Sequence, residues 1–79
     1  MSTSSLLGQY VRTLRGDRPQ TDVAAAAGLT QGRICQIERG DTDIPPATVR
    51  RLARALNTEP LALGALLIVD AFSRTGIET

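Results

Sequence analysis

Two glutamines and an arginine, Gln31, Arg33 and Gln36, stand close together in the middle of the chain, with Gly32 between the first two. A glutamine carboxamide can pair at two points with adenine N6 and N7, and a guanidinium can do the same with guanine O6 and N7. On an otherwise featureless surface the same side chains would only keep a helix soluble, so their meaning depends on what holds them. Other chemistry is poorly served. Histidine is absent, the one cysteine is Cys35, and the few carboxylates are scattered, so no set of nucleophile, base and oxyanion donor can be assembled and no enzyme is expected. No Cys/His spacing suits zinc, and neither a metal nor another cofactor is expected. Cys35 reads as a small filler, because no neighbouring group would favour its thiolate.

A chain of 79 residues with 42% apolar content has room for one domain with a modest core. Its net charge is only +1, and all nine basic residues are arginine, so where the charge sits matters more than its sum. Residues 1–5 lack the charged and apolar regions of a signal peptide, and the longest apolar run, over residues 61–69, is too short to cross a bilayer. No membrane association and a cytoplasmic location are expected.

Five helices are predicted. Ser4 and Ser5 precede Leu6, Leu7, Tyr10, Val11 and Leu14 at helical spacing, which gives a first helix over residues 6–15. Pro19 starts a second over residues 19–27, stopped by Gly28, and Thr30 caps a third over residues 31–39, closed by Gly40. After a loop containing Asp41 and Asp43, the stripe of Val49, Leu52, Ala53 and Leu56 marks a fourth over residues 46–56, with Arg50, Arg51 and Arg54 on its solvated back. The last covers residues 59–73. Residues 1–5 are expected to cap or be disordered, and residues 74–79 to fray.

The crossing of the second and third helices makes narrow demands. Ala24 must be small, Gly28 must tolerate positive φ, and Val23, Ala27, Leu29, Ile34 and Ile37 must fill the wedge; all of them comply. The run QTDVAAAAGLTQGRICQIERG, residues 20–40, closely resembles the phage repressor and Cro-type helix-turn-helix family. Together with Leu14–Arg15 before it and VRRLARAL after it, the likeness covers about residues 6–67. The resemblance implies an all-α, five-helix lambda-repressor-like domain whose third helix enters the major groove of double-stranded DNA. On that helix Ile34 and Ile37 turn to the core, while Gly32, Cys35, Gln36 and Arg39 lie opposite and Gln31 and Arg33 flank them. Gln31, Arg33 and Gln36 are then the candidates for base readout, and Gly32 leaves room for close approach. Gln20 matches the family's phosphate-touching glutamine; Arg18, Thr30 and Arg39 are further phosphate candidates by location. The resemblance also implies a structural salt bridge between Arg15 and Glu38.

The fifth helix is apolar on nearly all sides, more than closing a core requires. Leu63, Leu66 and Leu67 are assigned to the core, and Leu61, Ile68, Val69 and Phe72 to a homodimer interface. The expected function is a bacterial or phage transcription regulator, a repressor of the immunity, Cro-like or antitoxin kind, bound as a dimer to an inverted-repeat operator and open to a protein partner. The alternative is a protein-interaction adaptor that keeps the fold without DNA affinity, favoured by Asp41 and Asp43.

Overall fold

A computed structural model describes residues 5–40 and 43–74. The expectations for residues 1–4 and 75–79 and for Asp41 lie outside the described residues. Five helices follow in order: α1 Leu6–Arg15, α2 Gln20–Ala27, α3 Gln31–Glu38, α4 Pro46–Leu56 and α5 Pro60–Arg74. Pro19 and Arg39 are not helical residues as predicted but sit at the N-cap of α2 and the C-cap of α3, and α5 starts and ends one residue later than predicted. Pro19 is extended, with ψ near 153°, and its side chain has no acceptor to cap the first turn, but its carbonyl receives the Asp22 and Val23 amides at 3.0 and 3.4 Å, so the helix begins after it.

Local chemistry sets the remaining ends. Ser5 Oγ accepts from the Gly8 amide at 2.8 Å, and Thr30 Oγ1 accepts from the Arg33 amide at 3.1 Å, each satisfying one of a helix's orphan donors. Gly28 takes φ 70°, ψ 31°, and the Leu29 amide then reaches back to the Ala24 carbonyl at 2.8 Å, turning the chain sharply between α2 and α3. Asn57 repeats the device after α4, with φ 59°.

The helix α2 packs against both α3 and α4, α1 packs against α3 and α5, and α4 packs against α5. Their inward faces meet in one core of Leu7, Val11, Val23, Ala24, Ile34, Ile37, Ile44, Val49, Leu52, Ala53, Leu56 and Leu63, with Leu66 and Leu67 packed partly buried against it. Two contacts tie α1 down. The buried carboxylate of Asp70, on α5, accepts from the Leu6 and Leu7 amides, both at 2.9 Å, so the last helix caps the first. At Gly8, where α1 crosses α3, a Cβ would stand 2.9 Å from the Glu38 carbonyl carbon and closer still to its oxygen, so only glycine permits the approach. No described helix is long and apolar enough to cross a membrane.

Candidate nucleic-acid interface

The core faces of α2 and α3 leave the N-terminal half of α3 outward. Ile34 and Ile37 are wholly buried, whereas Gln31, Gly32, Gln36 and Arg39 are exposed. Cys35 departs from the wheel: it is half-buried on a flank, not outward. Arg33 is half-buried as well, because its guanidinium bends along α3 and across to the chain entering α4.

Glu38 organises the site from below. It ends α3 and is 2% exposed, yet it stays ionised because Arg15 grips it with Nε at 2.7 Å and Nη2 at 3.0 Å. Arg12 approaches to 3.7 Å from a more exposed position. Burial pushes the Glu38 carboxyl up, but the hydrogen bonds from Arg15 and Gln20 and the charges of Arg15 and Arg12 outweigh it and hold the group below the usual carboxylate range. The hydrogen bond to Glu38 correspondingly raises Arg15, against the effect of its own burial.

This carboxylate sets the orientation of two amides. An ionised carboxylate only accepts, so Gln20 must turn its amino group to it, Nε2 to Oε1 at 3.1 Å. That leaves Gln20 Oε1 facing Gln31, which must in turn present its own amino group, at 2.7 Å. The chain Arg15–Glu38–Gln20–Gln31 therefore passes a fixed donor-to-acceptor direction from the core to the outer end of α3. Gln31 retains its carbonyl oxygen and a second N–H, side by side, which is the arrangement that matches adenine N6 and N7.

The other expected residues are distributed unequally. Gln20 is half-buried and joins Glu38 to Gln31, close to the N-terminus of α2. Thr30 caps α3. Arg39 is exposed and has no partner among the described residues. Arg18 is not gathered with this group: its guanidinium donates to the carbonyls of Leu14 at 3.2 Å and of Arg15 and Ala55 at 3.4 Å, closing the C-terminal ends of α1 and α4. Sequence reasoning missed Gly8, Asp70 and the anchoring of Arg33. A glycine inside a helix and a lone carboxylate in an apolar one were the available signals for the first two.

The large exposed apolar residues are Leu6, Leu61, Ile68, Val69 and Phe72, four of them on α5. Leu61, Ala65, Ile68 and Phe72 follow at intervals of four, three and four residues, one continuous stripe along α5, opposite Leu63 and Asp70.

Comparison with protein families finds a match to a helix-turn-helix domain over residues 6–67. No curated protein and no solved structure matches the chain.

Proposed function

We propose that this chain, which belongs to the helix-turn-helix domain family, is a sequence-specific transcription regulator that lays α3 in the major groove of an operator and acts by occluding a promoter. The observation that carries the reading is the fixed amide of Gln31, exposed at the outer end of α3 and oriented from the core by Glu38 through Gln20. A surface glutamine with only a solubilising role has no need of a buried carboxylate to decide which way its oxygen points. Gln20 with the N-terminus of α2, the cap of α3 at Thr30, and Arg39 form the phosphate-facing surroundings; they position the helix without reading sequence. Gly32 lets the helix approach the bases closely.

The regulator works as a homodimer joined through the α5 stripe, and its operator is an inverted repeat with half-sites about one helical turn apart. A second copy is the fitting occupant of that stripe, because four-three spacing suits the packing of one helix against its twin and because pairing doubles a small number of phosphate contacts. It is a binding protein without catalytic activity, a cytoplasmic repressor of the Cro-like or antitoxin kind from a bacterium or phage. Selection from random duplex DNA tests this: an inverted repeat should be enriched, binding should weaken as salt rises, Gln31→Ala should relax one position in each half-site, and Arg39→Ala should weaken all sequences alike. Enrichment of no fragment, with a protein captured instead, would favour an adaptor role.

A further inference from the structure

Gln31 and Gln36 are held in opposite ways, and the difference lies in Arg33. Its Nη2 donates to the Asp43 carbonyl at 2.7 Å, a short charge-assisted bond to backbone that the buried Ile44 and the prolines Pro45 and Pro46 hold in place. Its Nη1 then meets the carboxamide of Gln36, one turn further along α3, at 3.2 Å. A guanidinium has only donors, so the atom it meets must be the amide oxygen. The amino group of Gln36 is thereby turned away from Arg33, and it has no partner among the described residues.

We infer that Arg33 is a positioning residue that fixes Gln36 with its amino group outward, so that Gln36 selects guanine and rejects cytosine at its operator position. This rests on the DNA-binding reading above. In the major groove guanine shows two acceptors, O6 and N7, adenine shows an acceptor beside a donor, and cytosine shows only a donor. A glutamine free to rotate matches adenine best, with oxygen and amino group together. One whose oxygen is already engaged by a cation offers chiefly its two N–H groups, which guanine alone can receive as a pair and which cytosine meets donor to donor. Gln31 keeps both lone pairs of its oxygen available while Gln36 has one taken by a cation, so two glutamines on one helix favour different purines.

The test is selection from random duplex DNA with the full chain and with Gln36→Ala, Arg33→Ala and Arg33→Lys, each compared where circular dichroism shows it folded. Gln36→Ala identifies the position that Gln36 reads, and the unmodified chain should show guanine there. Arg33→Ala should broaden that same position to admit adenine, with the preference for guanine falling about tenfold and other positions retained. Arg33→Lys keeps the charge but not the planar fork, and should broaden it too. The inference is overturned if Arg33→Ala erases a second position of its own, which would make Arg33 a direct reader, or if it leaves the Gln36 position unchanged, or if that position is not guanine. Should the unmodified chain enrich nothing, the DNA-binding reading itself fails, an outcome distinct from these.

Discussion

Replacing Glu38 by alanine removes the acceptor of two hydrogen bonds from Arg15 and one from Gln20 and leaves the Arg15 guanidinium without its counter-charge, bonded among the described residues only to the Arg18 carbonyl at 2.8 Å. Breaking a buried pair from one side costs about 3–5 kcal/mol. Here the carboxylate is 2% exposed but the Arg15 side chain is 18% exposed, so water can reach part of the stranded cation and the lower end of that range applies. The longer contact to Arg12, whose side chain is 56% exposed, adds little. A loss of about 3 kcal/mol in a domain of this size lowers the melting temperature by roughly 12–24 °C. The same variant carries a signature in pH. Because the folded state holds the Glu38 carboxyl below its unfolded value, the stabilisation is fully present above about pH 4.3 and is lost as pH falls through the folded value. Thermal melts of both proteins from pH 7 to pH 3 should therefore show a wide gap at neutrality that narrows in acid. A gap under about 1 kcal/mol at pH 7, or one that does not change with pH, would refute the account of Glu38 as an ionised organiser.

Two further changes test the packing and the assembly. Gly8→Ala should destabilise the fold by about 1–3 kcal/mol, despite alanine's better helix propensity, because α1 must move off the Glu38 carbonyl; urea unfolding that shows a stabilised variant would mean the crossing is looser than described. Ile68→Asp, which places a charge in the middle of the exposed α5 stripe at a residue 59% exposed in the single chain, should shift sedimentation towards monomer with little change in melting of the monomeric fold; an unaltered dimer would assign the contact elsewhere.

What could be read from the chain was whatever is decided within a few residues. Gly28 announces a left-handed turn, Thr30 a cap, and Ile34 with Ile37 a buried face, because each depends on backbone geometry or helical spacing near at hand. The pairing of Arg15 with Glu38 came through family likeness, since no spacing rule links positions so far apart. The contacts that escaped reading are those that tertiary structure creates. Asp70 lies 63 and 64 residues beyond the amides it accepts from, and only the packing of α5 beside α1 brings them together. Arg33, read as a base contact from its place on the flank of α3, is also tied to a backbone carbonyl, a group that every residue has and no sequence pattern flags.

Placing the arginines whose side chains are described shows how little positive charge is left near α3 in a chain whose net charge is +1. Arg12 and Arg15 neutralise Glu38, Arg18 closes helix ends, and Arg33 is tied to Asp43 and Gln36. Arg39, Arg50, Arg51 and Arg54 remain exposed without a partner among the described residues, and only Arg39 adjoins α3. One copy of such a surface offers few cations to phosphate, so on the proposed reading its affinity for DNA rests mainly on directed hydrogen bonds, which demand amides held in a known orientation. That requirement explains why two polar side chains on α3 are each fixed by a charged group, one from the buried Glu38 through Gln20 and the other from Arg33. The proposed pairing through α5 would multiply these directed contacts, where a strongly basic domain could rely on general attraction to the duplex.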